Sequence, residues 1–384
     1  MFASALPLGP NQSLIGEPQS RYRLMTPALV LDLDRLEQNI AAMAAHCRRV
    51  GVALRPHAKT HKSVTIARMQ LAAGAVGISC ATLGEAEAMA AGGIGQLLLT
   101  SPVIGEAKLA RLAALNKHCA ALLVVADNPE NLPGLAAAGA ASGRQLAVLV
   151  DFDIGLHRTG TANLEAALAL AEQISITPGL AFAGLQAYAG QLQHVEDYAR
   201  RRELARVQYG KLAGLRRALA QRGLPPGITT GGGTGTYEID ALEAVFSELQ
   251  AGSYVFMDVD YDRIQLRAHA NARPFENALL VRTSVVSTNA RGFVTTDAGL
   301  KRFATDGPLP VIAAGAPPGA TYRFQGDEHG AVVFVDPAQR LALGAGVECV
   351  VPHCDPTVNL YAHYHCVRSE RLVDIWPVDA RGAI

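Results

Sequence analysis

The chain has 384 residues, and its 34 lysine and arginine side chains balance its 34 aspartate and glutamate side chains. This length exceeds one average domain and predicts two domains, or a barrel with an appended domain. The balanced charge argues against a nucleic-acid-binding protein, and no apolar run approaches the length that a membrane span requires. The six cysteines lack CxxC spacing, which favours a reduced cytoplasmic enzyme over a disulfide-bonded scaffold.

Alternating strand and helix patterns occupy the first two thirds of the chain. Residues 1–25 lack periodicity and are expected to form an arm that packs on another part of the molecule. An apolar run at 27–33 predicts a strand, and Asp34 is expected to cap a helix over 35–49. About eight β–α units with short connections follow one another. The pattern predicts a (β/α)8 barrel over residues 26–267 rather than an open sheet.

The pattern changes after the predicted barrel, where short runs of strand length are separated by glycine and proline turns. Such runs occupy 278–287, 292–297, 331–335 and 347–351, and no long helical pattern separates them. The sequence therefore predicts a mainly β C-terminal domain over residues 268–384, which the N-terminal arm is expected to join.

A cluster of cations follows the predicted short strand 50–54. Residues 55–62 are Arg-Pro-His-Ala-Lys-Thr-His-Lys, and the carboxyl ends of parallel strands face the active site in α/β barrels. Crowded cations disfavour one another's charged forms, so we expect a lysine of lowered pKa whose amine reacts with carbonyl groups. Lys59 lies at the expected strand end, whereas Lys62 falls at the start of the next helix. A solvated basic loop is the alternative interpretation.

Residues 230–236, Thr-Gly-Gly-Gly-Thr-Gly-Thr, form a glycine-rich segment directly after a predicted strand. Glycines allow backbone N–H groups to converge on an anion without obstruction by Cβ atoms. The segment is neither a P-loop nor a dinucleotide-binding fingerprint, because its spacing differs from both. Its position late in the barrel, with Gly252 and Ser253 one strand later, favours a phosphate site. A flexible linker is the alternative.

His353 and Asp355 follow an apolar run that predicts a strand. In an extended chain their side chains point to the same face, and Cys354 points away. Imidazole and carboxylate groups suit Zn²⁺, Mn²⁺ or a similar divalent ion, and two protein ligands leave positions open for a substrate. A turn beside a buried histidine is the alternative. Further candidate ligands for the same region are His194, Asp327, Glu328 and His329.

Two more side chains follow predicted strands at the catalytic edge of the barrel. They are Tyr188 and Arg158, for which a packed aromatic ring and a loop ion pair are the respective alternatives.

These segments together are similar to the metal-activated, pyridoxal-phosphate-dependent family of D-threonine aldolases and 3-hydroxy-D-aspartate aldolases. That family is related to D-serine dehydratase and has the alanine-racemase type of fold. The matching segments extend over almost the whole chain and are 26–27, 31–33, 55–59, 185–188, 231–235, 248–254, 257–258, 260–261, 297–301, 327–330 and 352–359.

The resemblance implies a role for each candidate residue. Lys59 is implied to bind pyridoxal phosphate covalently, with Tyr188 and Arg158 near the pyridine ring. The residues implied to hold the phosphate and the neighbouring cofactor edge are Thr234, Gly252, Ser253 and Tyr261. Many aldolases of the family carry glutamine where this chain has Ala81, so one cofactor contact is expected to be missing.

The resemblance also implies a metal-assisted reaction. His353 and Asp355 would bind a divalent ion (Mn²⁺, Mg²⁺ or Zn²⁺), and His194 is our candidate for the base that takes the β-hydroxyl proton. The implied reaction cleaves a small D-β-hydroxy-α-amino acid, of the D-threonine or 3-hydroxy-D-aspartate type, to glycine and an aldehyde. A homodimer is expected, because in this fold the β domain of one subunit usually completes the site of its partner.

Two alternatives remain open. One is a D-serine or 3-hydroxy-D-aspartate dehydratase on the same scaffold, and the other is a pyridoxal-phosphate carrier without turnover. The His-x-Asp order favours the aldolase, since dehydratase relatives typically have His-x-Cys. A complete β domain with a metal motif argues against the carrier.

Overall fold

The computed structural model describes residues 8–269 and 273–384. In chain order the strands are β1 (Ala28–Asp32), β2 (Ala53–Leu54), β3 (Ile78–Cys80), β4 (Gln96–Leu99), β5 (Ala121–Ala126), β6 (Leu146–Asp151), β7 (Leu180–Ala187), β8 (Ile228–Gly231), β9 (Glu248–Leu249), β10 (Leu279–Ser287), β11 (Phe293–Thr296), β12 (Val311–Ala314), β13 (Thr321–Phe324), β14 (Gly330–Val333), β15 (Gly346–Val350), β16 (His363–Arg368) and β17 (Arg371–Pro377). The α-helices are α1 (Leu33–Val50), α2 (Val64–Ala72), α3 (Leu83–Ala91), α4 (Glu106–His118), α5 (Leu132–Ser142), α6 (Leu164–Ile176), α7 (Tyr198–Gln221), α8 (Tyr237–Leu242) and α9 (Cys354–Asn359). None of these described helices combines the length and the apolar character needed to cross a membrane.

Strands β2 to β9 form one parallel sheet that curls into a barrel. Their order in the sheet is β2-β9-β8-β7-β6-β5-β4-β3, and a bridge between His57 and Ser79 joins the segment after β2 to β3. Ser79 donates its backbone N–H to the Pro56 carbonyl (2.9 Å), and Ala58 donates to the Ser79 carbonyl (2.8 Å). Because these contacts close the sheet on itself, the predicted (β/α)8 barrel is confirmed.

Several helices around the barrel begin at a side chain that accepts a hydrogen bond from the first turn. Asp32 accepts the Arg35 N–H (3.2 Å) and is the N-cap of α1, so the cap predicted at Asp34 is wrong. Asp34 lies inside the first turn, where a carboxylate still interacts favourably with the helix dipole. Thr82 and Asn163 cap α3 and α6 in the same way.

The remaining strands form a second, mixed sheet. Its main order is β13-β14-β11-β10-β1-β16-β17, and β15 pairs with both β10 and β12. Seven of its pairings are antiparallel, while β1 and β16 run parallel. The predicted mainly β C-terminal domain is therefore confirmed.

Strand β1 belongs to this second sheet, although the sequence assigned it to the barrel. It pairs antiparallel with β10 and parallel with β16. All five of its residues are buried, and a short apolar strand has the same periodicity in either sheet. The barrel boundary predicted at residue 26 is therefore wrong, because the chain contributes β1 to the second sheet before α1 leads into the barrel.

Residues 8–25, the described part of the N-terminal arm, contact the same sheet. Gly16 donates its N–H to the Leu372 carbonyl (2.8 Å). The Arg21 guanidinium lies 2.7 Å from the carboxylate of Glu348. These contacts join the arm to the β domain.

A buried ion pair ties two neighbouring barrel strands together. Arg55 follows β2, and its Nε and Nη2 atoms donate to the two carboxylate oxygens of Glu248 in β9, at 2.7 and 3.0 Å. The two side chains are 8% and 6% exposed. Breaking such a pair leaves one charge buried without a partner.

We expect Glu248→Ala to lower the free energy of unfolding by about 3–5 kcal/mol, because the Arg55 charge stays buried and unpaired. Urea denaturation measures the loss. The matched control is Glu203→Ala, which breaks an exposed pair with Arg200 whose side chains are 68% and 57% exposed, and which should cost at most about 1 kcal/mol. Equal losses in the two variants would contradict the argument.

Candidate active site

A cavity of about 310 Å³ opens at the carboxyl edge of the barrel strands. Five of its lining residues directly follow a strand (Ala81, Thr100, Tyr188, Gly232 and Gln250), and most of the others lie in the loops that continue from such strand ends. Of the residues that the sequence predicted for the site, those in the lining are Lys59, Arg158, Tyr188, Thr234, Gly252, Ser253 and Tyr261. The structure therefore brings together side chains and turns that are up to 202 positions apart in the chain, the interval between Lys59 and Tyr261.

Lys59 forms an ion pair with Asp355 of the β domain. The lysine side chain is 43% exposed, and the aspartate side chain is 12% exposed. Loss of hydration by itself disfavours the ammonium form, but the carboxylate outweighs it and raises the pKa of Lys59. The lowered lysine pKa expected from crowded cations is therefore wrong. The carboxylate that raises this pKa belongs to Asp355, which lies in the β domain and not in the segment of crowded cations.

The other basic side chains of segment 55–62 do not take the place of Lys59 at the cavity. Lys62 Nζ lies 2.7 Å from the Glu85 carboxylate, and both side chains are largely buried. Burial lowers the pKa of His57 to about 3 and that of His61 to about 4, so both imidazoles are neutral near pH 7. Lys59 is therefore the amine of this segment that reaches the cavity.

Two turns at one side of the cavity offer free hydrogen-bond donors. In the described part of the chain, the backbone N–H groups of Thr234, Gly252 and Ser253 donate to no protein acceptor. The Thr234 hydroxyl oxygen accepts the Tyr254 N–H at 3.0 Å, which joins the two turns. Free backbone N–H groups beside a cavity suit the oxygens of a phosphate. The two turns therefore fit an anion of this kind.

Arg158 and Tyr188 pack on each other in the cavity wall. The guanidinium carbon of Arg158 lies 5.6 Å from the centroid of the Tyr188 ring, a distance typical of a cation–π contact. Asp153 shapes the loop that carries Arg158, because its carboxylate accepts the N–H groups of Gly155 (2.8 Å) and Leu156 (3.0 Å). The arginine therefore has a defined position at the cavity.

His194 lies beside Tyr261, with the two ring centroids 5.1 Å apart. Its Nδ1 atom is 3.1 Å from the Asp260 carboxylate, and its side chain is 45% exposed. The imidazole therefore lies beside both a carboxylate and the aromatic ring of a residue that lines the cavity. The arrangement suits a histidine that accepts a proton.

The segment that carries His353 and Asp355 is helical, so the predicted strand alternation is wrong here. Strand β15 ends at Val350, and α9 begins at Cys354 with His353 as its N-cap. The Asp258 carboxylate accepts the Cys354 N–H at 2.8 Å and stabilises this helix start. Because Asp258 is 96 positions away in the chain, the local pattern gave no sign of the helix.

The three side chains of this segment lie in different surroundings. Cys354 is fully buried in the hydrophobic core, whereas Asp355 reaches Lys59. His353 is partly exposed, and its Nδ1 atom lies 2.9 Å from the Asp306 carboxylate. The separation results from the helix geometry and not from an extended strand.

Comparison with known proteins agrees with this architecture. Residues 31–260 match the family described as alanine racemase, N-terminal domain, and residues 278–367 match the putative serine dehydratase domain. A D-threonine aldolase of Arthrobacter sp. is 43% identical over 96% of this chain and 95% of that protein. A 3-hydroxy-D-aspartate aldolase of Paracoccus denitrificans (strain Pd 1222) is 37% identical over 94% of this chain and 92% of that protein. The chain belongs to this aldolase family.

The fold of the aldolase agrees with a solved member as well. The crystal structure of D-threonine aldolase from Filomicrobium marinum superposes with a TM-score of 0.90 and 37% identity, over 94% of this chain and 97% of that one. The family resemblance predicted from the sequence is confirmed, and the protein is a lyase of the aldolase type.

The metal ligands of this aldolase remain a prediction. Within residues 8–269 and 273–384, no three or more His, Cys, Asp or Glu side chains are grouped so that they could hold a metal ion. His353 and Asp355 offer two donors of suitable type. Asp327 and Glu328, which we considered for the same region, lie at the surface beside Lys301, at 3.6 and 2.7 Å. The homodimer also stays a prediction.

The sequence analysis missed several residues of the cavity. They are His57, Thr100, Ser101, Thr159, Gln186 and Gln250. Thr100 and Gln250 directly follow β4 and β9, and this position after a strand was an available signal. Asp306 and Asp260 contact the predicted site residues His353 and His194 from other segments, and neither was itself predicted for the site.

Ala81, where the family often carries glutamine, also lines the cavity. Its backbone N–H donates to the Glu85 carboxylate at 2.7 Å, the same carboxylate that pairs with Lys62. The chain therefore keeps this loop in place through Glu85, although no polar side chain reaches the cavity from position 81.

Proposed function

We propose that the protein is a pyridoxal-phosphate- and divalent-metal-dependent aldolase that cleaves D-β-hydroxy-α-amino acids, of the D-threonine or 3-hydroxy-D-aspartate type, to glycine and an aldehyde. One observation carries the proposal: Lys59 lines the same cavity as the free N–H donors of Thr234, Gly252 and Ser253. Its amine also pairs with Asp355, two residues after His353.

The residues at the cavity fit the cofactor. Lys59 would hold it covalently, and the N–H groups of Thr234, Gly252 and Ser253 would bind its phosphate. When bound, pyridoxal phosphate supplies an electron sink for the electron pair of the breaking Cα–Cβ bond. Tyr188 packs beside this place with a hydroxyl pKa raised by burial, so it stays neutral and acts as a hydrogen-bond donor.

His353 and Asp355 would hold the divalent ion. Asp306 lies at His353 Nδ1 (2.9 Å), and such a carboxylate orients a metal-binding imidazole and leaves Nε2 to the metal. A divalent ion supplies polarisation of the substrate β-hydroxyl, which lowers the pKa of that group. The ion would compete with Lys59 for the Asp355 carboxylate.

His194 would take the proton from the β-hydroxyl, directly or through a water. It is placed for this role by its position beside Tyr261, which lines the cavity, and near the Asp260 carboxylate. Loss of this proton converts the hydroxyl into the carbonyl of the leaving aldehyde, while the Cα–Cβ bond breaks. A proton delivered to Cα then completes glycine, and the atoms of the substrate are divided between the two products.

A dehydratase is the second candidate, because residues 278–367 match the putative serine dehydratase domain. In that reaction the Cβ–O bond would break so that the β-hydroxyl leaves, and Lys59 would remove the proton from Cα. The products would be a 2-oxo acid and ammonia. The two reactions differ in which bond to Cβ is broken.

Product analysis distinguishes these functions. The purified protein is loaded with pyridoxal phosphate and Mn²⁺ and incubated with D-threonine, with L-threonine as the stereochemical control. We expect equal amounts of acetaldehyde and glycine from the D isomer alone. Formation of 2-oxobutanoate and ammonia would establish the dehydratase instead. If neither D-threonine nor 3-hydroxy-D-aspartate gives a product, the protein would be a cofactor carrier without turnover.

A further inference from the structure

Gln193 connects two loops of the cavity from a fully buried position. Its side chain is 1% exposed and lies under the glycine-rich segment 230–236. The Gly235 N–H donates to Gln193 Oε1 at 2.9 Å, and Gln193 Nε2 donates to Thr236 Oγ1 at 3.0 Å. The same Nε2 atom donates to the Ala189 carbonyl at 3.3 Å in its own loop. One amide therefore binds both loops.

The glycines of this segment are required by the close approach of Gln193. A Cβ atom on Gly233 would overlap Gln193 Oε1, and one on Gly235 would overlap the Gln193 backbone carbonyl. The sequence pattern predicts that these glycines allow an anion to approach from the cavity side. At these two positions the space of a Cβ atom is instead filled by protein from the other side.

A second buried side chain extends the link. Thr236 Oγ1 donates to Asp240 at 2.8 Å, and the same carboxylate accepts the Gly233 N–H at 3.3 Å. Tyr209 donates its hydroxyl to the other oxygen of Asp240. Burial raises the pKa of Asp240 to about 7. The glycine-rich segment is therefore held by Gln193 at Gly235 and Thr236, and by Asp240 at Gly233 and Thr236.

His194 is the next residue after Gln193, so the position of one constrains the other. The Gln193 N–H donates to the Gly190 carbonyl at 3.1 Å and closes a single 3₁₀ turn over Gly190–Leu192. Beyond that turn, the contact of His194 with Asp260 is the next fixed point. The side chain of Gln193 is therefore an anchor of the loop that presents the histidine.

We propose that Gln193 is a positioning residue that fastens the loop of His194 to the phosphate-binding glycine segment. The inference rests on the proposed function, in which Thr234 binds the cofactor phosphate and His194 takes the substrate proton. Gln193 itself touches neither group. Its role is to hold phosphate site and base at a fixed separation, so a loss of its amide affects both.

The first test measures cofactor affinity in Gln193→Met, which keeps the length of the side chain and removes its hydrogen bonds. Pyridoxal phosphate and pyridoxal, which lacks the phosphate, are titrated against the cofactor-free full-length protein by absorbance. We expect the Kd of pyridoxal phosphate to rise about tenfold, as the loss of one to two net hydrogen bonds predicts. The Kd of pyridoxal should change less than about twofold.

The second test measures whether Gln193 acts through His194. Turnover is compared at saturating cofactor in the wild type, Gln193→Met, His194→Ala and the double variant. We expect Gln193→Met to lower kcat about tenfold in the wild-type background and less than about twofold in the His194→Ala background. Residues that act as one unit give such non-additive losses.

Two further variants provide the controls. Gln191→Met removes a neighbouring amide whose Nε2 donates to the Ile154 carbonyl (3.0 Å) and not to the glycine segment, and it should behave as the wild type in both tests. Thr236→Val removes the acceptor of Gln193 Nε2 together with the donor to Asp240, and it leaves the bond from Gly235 to Gln193 in place. It should raise the Kd of pyridoxal phosphate about threefold, and it replaces Gln193→Met if that variant does not fold.

The outcomes separate the inference from the proposed function. Equal losses of affinity for pyridoxal and pyridoxal phosphate, or additive losses of kcat with His194→Ala, would overturn the role of Gln193. A wild-type protein that captures no pyridoxal phosphate and releases no aldehyde would instead overturn the proposed function, whatever the variants do.

Discussion

Lys59→Ala is expected to abolish covalent attachment of pyridoxal phosphate and to lower turnover by several orders of magnitude. Lys59 is the amine of segment 55–62 that lines the cavity, and its replacement leaves no nucleophile in that position. The measurements are the visible absorbance of the bound cofactor, reduction of the complex with borohydride followed by peptide mapping, and aldehyde release from D-threonine.

Lys62→Ala is the matched control, three residues away. Its amine pairs with Glu85 and is only 12% exposed, so the cofactor absorbance should be retained. The variant should instead lose stability, because Glu85 would remain buried without its cation. Loss of covalent attachment in Lys62→Ala, with attachment retained in Lys59→Ala, would show that the assigned lysine is wrong.

Asp355→Ala is expected to abolish metal-dependent turnover while leaving the cofactor bound. The variant removes one of only two proposed metal ligands, so the loss should exceed the about 10–100-fold cost of replacing an outer-shell residue. It also removes the carboxylate that raises the pKa of Lys59, which favours the neutral amine and covalent capture. Mn²⁺ affinity by calorimetry and cofactor absorbance are measured together with turnover.

Cys354→Ala serves as the comparison for Asp355→Ala. Cys354 is fully buried in the core, so we expect near wild-type turnover and a stability loss of about 1 kcal/mol. Chelation of the wild-type protein should have the effect of Asp355→Ala. An inactive Cys354→Ala beside an active Asp355→Ala would assign a thiolate-bound zinc and move the protein to the dehydratase branch.

The alternation of strands and helices could be predicted because it depends on local periodicity. The helix predicted over 35–49, for instance, lies within α1 (Leu33–Val50), since its apolar side chains recur at helical spacing in the sequence. Strand β1 shows the limit of this reasoning. Its apolar pattern identified a strand, but its partners β10 and β16 lie some 250 and 330 residues further along the chain.

The candidate site divides in a similar way. Lys59, Arg158, Tyr188, Thr234 and Gly252 follow strands, and the closure of a parallel barrel necessarily gathers such positions at one edge. Periodicity and glycine content are sufficient to locate them. These features depend on residues that are close in the sequence and not on the contacts that each segment makes in the fold.

The charge states and the exact directions of the side chains depended on contacts between distant segments. Asp355 raises the pKa of Lys59 where crowding alone predicted the opposite, and Asp258 starts a helix where the pattern predicted a strand. Gln193 occupies the space that makes Gly233 and Gly235 necessary. The sequence by itself determined the alternation of strands and helices in the barrel and the edge that carries the site. Only the tertiary structure decided the charge state of each group, the cap of the helix at Cys354 and the contacts that hold the loops. Electrostatic and hydrogen-bonding partners act over distances in space, so partners far apart in the sequence produce no periodic pattern of residues.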